Sequence, residues 1–229
     1  MIVGKGLLAR SFEPYFGIDS SVVVFASGVS NSIETRASEF ARERSLLEQW
    51  LADKARRFIY FGSCGVAGAD NELTPYMRHK KLMESLVLSS PGGLVLRLPQ
   101  VVGRTENTHT LTNYLRDRIL SDEHFTVWAR AERNLVDIED IVAIGVALVE
   151  EMSDNACRVS IAAKKSLLMP EIVKIFERTL GRVANYSVVD KGTTLDIDTR
   201  AITDVSTRLG IDLGDGYIEK VIRKYYGFQ

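Results

Sequence analysis

The sequence predicts an α/β protein with a parallel sheet covered on both faces. Short apolar runs of strand length alternate with amphipathic helical patterns over the first 160 residues. The run VVVF at 22–25 is continuously apolar, as a strand buried on both faces is. The first apolar run, at 1–3, enters a glycine turn that opens a helical segment, giving strand, turn and helix within sixteen residues.

Taken in order, Met1-Ile2-Val3 leads into Gly4-Lys5-Gly6-Leu7-Leu8-Ala9, a G-x-G-x-x-A pattern followed by a helix to about Tyr15. The glycines permit a tight turn and a close backbone approach, and the small Ala9 lets the helix pack on the strand. Free N–H groups at the start of that helix suit a pyrophosphate. Arg10 is a candidate phosphate partner or simply a surface arginine. The next strand, 22–28, ends in the small polar loop SGVSNS at 27–32. Asp19 precedes that strand instead of ending one, so it does not supply the acidic ribose anchor expected about 20 residues after such glycines.

Phe40, Leu46, Leu47, Trp50 and Leu51 recur at helical spacing and predict a helix over 38–52 with a solvated charged face. A strand at 58–61 and a helix at 76–88 follow, then a strand at 94–98 ended by Pro99. Residues 100–110 read as a polar loop, 111–120 as a helix and 125–128 as a short strand. A strongly apolar helix is expected at 141–152, with Asp137 and Asp140 capping it or anchoring loops, and a strand at 158–162. Beyond it the pattern gives helices at 169–180, 199–209 and 216–226 and weaker strands at 184–189 and 194–197.

Composition bounds the function. Apolar residues make up 45% and charged residues 26% of the 229, as in ordinary globular proteins. A net charge of −1 gives no basic footprint for nucleic acid or acidic membranes. No apolar run approaches the ~20 residues that span a bilayer. Cys64 and Cys157 match no metal-ligand spacing, so no metal is expected, and a reducing, cytoplasmic setting is the simplest expectation.

The chemistry concentrates at 58–80. A strand ends at Gly62-Ser63-Cys64-Gly65, and the helix after Pro75 carries Tyr76 and Lys80 four residues apart, on one face. A lysine ammonium beside a phenol favours the phenolate and lowers the tyrosine pKa from about 10. Tyr76 would then exchange a proton with a sugar hydroxyl or carbonyl, and Ser63 would hold the same oxygen. A Tyr/Lys pair at this spacing also arises by chance, as a half-exposed aromatic and a solvated charge. His79 is expected at the surface, and Cys64, next to Ser63, as a small buried filler rather than a nucleophile.

With these residues in view, the chain resembles the extended short-chain dehydrogenase/reductase family, in its sugar-nucleotide epimerase/dehydratase branch. The resemblance runs through nearly the whole chain. It rests on the Gly4–Gly6–Ala9 turn, FASGVSNS, FGSCGVAG, Tyr76-Met77-Arg78-His79-Lys80, LRLPQVVG and ERNLVDIEDIV. It implies a Rossmann-like sheet and NAD or NADP as hydride carrier. Tyr76 would be the acid/base, Ser63 the ligand of the reacting oxygen, and Lys80 the holder of the nicotinamide ribose. The cofactor would contact Gly4, Lys5, Gly6, Leu7, Ala26, Ser27, Gly28, Lys80, Leu98, Pro99 and Val101. A nucleotide-linked sugar would contact Cys64, Gln100, Asn113 and Arg133, the arginine meeting the nucleotide phosphates.

Between its first helix and FASGVS the family has two further strands with their helices, and this chain lacks them. The expected architecture is therefore a sheet shortened by about two strands, with a cofactor domain over 1–162 (residues 103–134 partly serving the substrate lobe). A small α/β substrate lobe would span 163–229. The resemblance also implies a homodimer, while the charge and the lack of a long apolar run lead to the expectation of no nucleic-acid partner and no membrane insertion. The other reading is a non-catalytic binding or regulatory relative with a degenerate cofactor pocket.

Overall fold

A computed structural model of the chain describes residues 1–52, 56–67, 73–151 and 155–227. Part of the loop between Ser63 and Tyr76 and the expected helix end at Met152 lie outside these residues. Its centre is a five-stranded, all-parallel sheet. The strands are β1 (Ile2–Val3), β2 (Val22–Phe25), β3 (Arg57–Ser63), β4 (Gly93–Leu98) and, taken out of chain order, β9 (Cys157–Ser160). They lie side by side in the order β1-β2-β3-β4-β9. The order runs in one direction along the chain, so among the described residues β1 is an edge strand, where the two missing strands of the expected architecture would continue.

Apolar stripes place the helices. α1 (Leu7–Phe16) and α5 (Ile138–Glu150) cover one face, and Phe12, Phe16, Ile141 and Ile144 pack there with Ile59, Phe61, Leu94 and Leu96. α2 (Ala37–Leu51) and α3 (Pro75–Leu88) cover the other, where Leu47, Met83 and Val87 meet Val23, Phe25, Phe58 and Tyr60. α3 starts where the sequence says it should: Pro75 stands at its first turn, and the Thr74 side chain accepts from Met77 N. Asp137 caps α5 by accepting from Glu139 N, which starts that helix three residues earlier than the apolar pattern alone predicts.

Past β4 the chain builds a smaller layer. Residues 100–110 are not wholly loop, because β5 (Gln100–Val102) pairs in parallel with β8 (Leu135–Asp137). Pro99 has no N–H to continue the β4 ladder, and the chain turns to a new partner there. α4 (Leu111–Leu120) and β6 (Phe125–Trp128) form as expected, and β6 pairs with β11 (Tyr186–Val189). β7 (Glu132–Arg133) runs antiparallel to β10 (Leu167–Leu168). α6 (Met169–Leu180) ends at Gly181, whose φ of +61° is left-handed.

The strand expected at 194–197 does not form. Its backbone is held by side chains instead: Leu195 N donates to Glu132 Oε2, and Ser166 Oγ donates to Leu195 O. The helix expected at 199–209 divides into a 3-10 turn (Arg200–Ile202) and α7 (Thr203–Arg208), before α8 (Tyr217–Tyr226). α6 and α8 share one apolar core with the sheet, through Ile172, Phe176, Ile218 and Ile222. No helix among the described residues is long and apolar enough to cross a membrane.

Candidate active site

The C-terminal ends of β1, β2, β3 and β4 open on one edge of the sheet, where ligands of open α/β sheets bind. At β1, Gly4 has φ +135°, and a Cβ there would stand 2.4 Å from Ala26 O. Only glycine lets this turn close against the end of β2. Gly6 is the N-cap of α1 and offers no side chain, and a Cβ on it would meet nothing within 4 Å. No side chain among the described residues caps the first N–H groups of α1, and Lys5 and Arg10 beside them in the chain are exposed.

Ala26, Ser27 and Gly28 leave β2 beside this turn. Gly103, just past β5, comes within reach of Leu7 and Ile138, bringing the segment after β4 against the start of α1. These residues fit a pyrophosphate. At the adenosine end no strand among the described residues lies beyond β1, and Asp19 is used locally, accepting from Ser21 N and Ser21 Oγ at 2.7 and 2.6 Å.

Ser63 is the last residue of β3, and its Oγ accepts from Gly65 N–H at 3.2 Å. A Cβ on Gly65 would lie 3.0 Å from Met77 Cε, so the serine turn rests on the first turn of α3. There Tyr76 and Lys80 share a face, with Lys80 Nζ 5.9 Å from the centre of the Tyr76 ring.

The electrostatics differ from the expectation. Burial first, and then the Glu43 carboxylate, push the Tyr76 phenol up to about 12. Lys80 does not act on it as a bare cation. It is 4% exposed, donates to Glu43 Oε1 at 3.1 Å and to Tyr60 Oη at 3.0 Å, and lies over the Tyr60 ring. Burial lowers its pKa, while Glu43 pulls it back up.

Glu43 has no exposed surface. It also accepts from Tyr60 Oη at 2.8 Å and from Val29 N at 2.6 Å, and His79 Nε2 is 3.0 Å from its Oε2. Burial works to raise its pKa. His79, Lys80, Val29 N and Tyr60 outweigh that and hold it at about 2. His79 is thus not at the surface: it is 7% exposed and stacks on Phe40 with ring centres 4.6 Å apart. One turn along α3 from Lys80, the buried Glu84 is gripped by Arg97 of β4.

Cys64 is buried beside Ser63, and burial raises its thiol to about 12, the range of an inert thiol. Leu98, Pro99 and Val101 line the end of β4 and the start of β5. Gln100 follows Pro99, and its buried Oε1 has no hydrogen-bond partner among the described residues.

Asn113 has its polar atoms engaged within the chain. Its amide donates to Thr105 O and Asn107 O, and its Oδ1 accepts from Tyr226 Oη. Arg133 is half-buried. It donates to Glu132 O at 2.7 Å, has no carboxylate partner among the described residues, and has its pKa lowered by burial.

Two residues that sequence reasoning missed are Glu43 and Asn134. Asn134 is buried and exchanges hydrogen bonds with Ala163 N and O, fixing the segment after β9. A cleft of about 320 Å³ between α5 and α8, lined by Asp137, Asp140, Asp212, Tyr217, Lys220 and Lys224 among others, contains none of the candidate site residues.

The NAD dependent epimerase/dehydratase family model matches residues 8–162. No curated protein matches the chain. Among solved structures it is similar to UDP-N-acetylglucosamine 4-epimerase from Bacillus cereus, with TM-score 0.73, 14% identity, and 98% of this chain and 96% of that one covered. It is also similar to UDP-glucuronic acid 4-epimerase from Bacillus cereus in complex with UDP-glucuronic acid and NAD, with TM-score 0.72, 18% identity and coverages of 97% and 77%. A third is dTDP-glucose 4,6-dehydratase from Bacillus anthracis in complex with NAD, with TM-score 0.70, 13% identity and coverages of 97% and 77%. At these identities the likeness is one of fold.

Proposed function

Because the chain belongs to the NAD dependent epimerase/dehydratase family, we propose that it is an NAD(P)-dependent epimerase, dehydratase or ketoreductase of a nucleotide-linked sugar, working with Tyr76 as proton-transfer group. The observation that carries this reading is that Ser63 ends β3 in a turn resting on Met77 of α3, the helix on which Tyr76 and Lys80 share a face, at the sheet edge that also holds the glycine turn. Similar solved structures named as acting on UDP- and dTDP-linked sugars support the substrate class.

The bound nicotinamide would accept or return a hydride at a sugar carbon. In this reading the first turn of α1 and Gly6 bind the cofactor pyrophosphate, and Ala26, Ser27, Gly28, Leu98, Pro99 and Val101 wall the nicotinamide side. Ser63 Oγ donates to the reacting sugar oxygen. Tyr76 Oη gives that oxygen a proton or takes one from it, and Lys80 orients the ribose. Arg133, half-buried with no carboxylate partner among the described residues, meets the nucleotide diphosphate. The orphan Gln100 Oε1 accepts from a sugar hydroxyl. The lobe formed by 163–229 with part of 103–134 closes over the sugar. Pairing of α2 and α3 with a second copy would make the homodimer, through the exposed Leu82 beside half-buried Leu46 and Leu86.

The test is a panel of UDP-, dTDP-, ADP- and GDP-linked hexoses with NAD or NADP, followed by proton NMR of the sugar and by reduced-nicotinamide absorbance. Conversion of at least one sugar is expected. Cofactor binding with no sugar consumed would favour the non-catalytic reading instead. That second reading has its own observation: Lys80 is already held by Glu43 and Tyr60 beneath Gly28, where a Cβ would stand 2.7 Å from Lys80 Nζ.

A further inference from the structure

We propose that Glu43 is a positioning residue of the proton-transfer site: its carboxylate fixes and neutralises Lys80 beneath Gly28, so that Tyr76 rests as the neutral phenol in the free protein. This rests on reading Ser63, Tyr76 and Lys80 as that site, but it can be measured without cofactor or sugar.

The two carboxylate oxygens do separate work. Oε1 takes Lys80 Nζ and Tyr60 Oη, at 3.1 and 2.8 Å. Oε2 takes Val29 N at 2.6 Å and faces His79 Nε2 at 3.0 Å. One buried side chain thus ties the turn after β2, which would border the nicotinamide, to the helix that carries Tyr76 and Lys80. Gly28 is needed in this arrangement, since a Cβ there would stand 2.7 Å from Lys80 Nζ and 2.8 Å from Glu43 Oε1. A buried carboxylate with this many donors is ionised and fully satisfied.

Among the described residues, the charged and titratable groups facing the site are Glu43 from α2, His79, Lys80 and Glu84 from α3, Tyr60 from β3, Cys64 just after it, and Arg97 from β4. Arg158 of β9 approaches Glu84 at 4.0 Å. Glu84 is matched by Arg97 at 2.7 Å, and among the described residues Glu43 is the carboxylate that pairs with Lys80. Without it, the Lys80 ammonium would favour the phenolate of Tyr76.

The experiment is a pH titration of protein labelled with 13C at tyrosine Cζ, the Tyr76 resonance being assigned by its loss in Tyr76→Phe. In the native protein that resonance should stay at the phenol position through pH ~10, the free-tyrosine value, as a phenol held at about 12 would. Glu43→Gln keeps the shape and removes the charge, and should lower the midpoint of Tyr76 by one pH unit or more, about tenfold in ionisation. Adding Lys80→Met to Glu43→Gln removes both charges and should return the midpoint upward.

A native Tyr76 that ionises below pH ~10 would overturn the proposal even if Glu43→Gln does not fold. So would an unmoved midpoint in a folded Glu43→Gln. These outcomes are independent of turnover, so failure of the enzymatic reading shows separately in the sugar panel.

Discussion

Tyr76→Phe should cut turnover about 10²–10⁴-fold, the usual worth of a positioned acid/base, while dinucleotide affinity stays near native. The substitution removes one hydroxyl and keeps the ring beside Lys80 Nζ. The ring is largely buried, so the packing on α3 is retained and the loss falls on kcat more than on KM. Stopped-flow absorbance of reduced nicotinamide with the converted sugar, beside dinucleotide titration of the same variant, separates the two effects. A variant within about threefold of native turnover, far less than an acid/base supplies, would remove Tyr76 from the chemistry.

Arg97→Ala should destabilise the fold by about 3–5 kcal/mol, the cost of stripping one partner from a buried ion pair. The Glu84 side chain is 2% exposed and that of Arg97 12%, and three hydrogen bonds of 2.7–3.1 Å join them. Gly62 makes room for the carboxylate, since a Cβ there would lie 2.4 Å from Glu84 Oε1. Arg158, at 4.0 Å and half-exposed, is too distant to replace Arg97. Urea unfolding measures the change. Replacing both partners with neutral residues of similar volume should cost less than Arg97→Ala alone. A loss below about 1 kcal/mol, the scale of a surface pair, would show that the pair does not hold α3 to β4.

The features legible in the sequence were those written in local spacing. Pro75 marks the start of α3, Gly181 marks the end of α6, and the four-residue step from Tyr76 to Lys80 puts both on one face. The shortened sheet was legible too, because only one apolar strand pattern separates the glycine turn from 57–63. The strand expected at 194–197 failed because its backbone is satisfied by Glu132 and Ser166, more than twenty residues away, which no local pattern reports.

The charge environment of the site was hidden for the same reason. Glu43 lies in the charge-rich stretch ARERSLLEQW, and a run like that reads as solvated surface. Yet Phe40, Glu43 and Leu47 fall three and four residues apart, on the helix face that carries Leu47 into the core. A glutamate on an apolar stripe was the available signal. His79 was misread in the same way, because its partner is 36 residues away.

The central claim is that the shortened, five-stranded sheet still holds a dinucleotide at its glycine turn. Isothermal calorimetry of the native protein with NAD, NADH, NADP and NADPH, at two temperatures so that no heat is missed by cancellation, tests it directly. Saturable binding of at least one of the four is the expected result. No binding of any of them would contradict the claim.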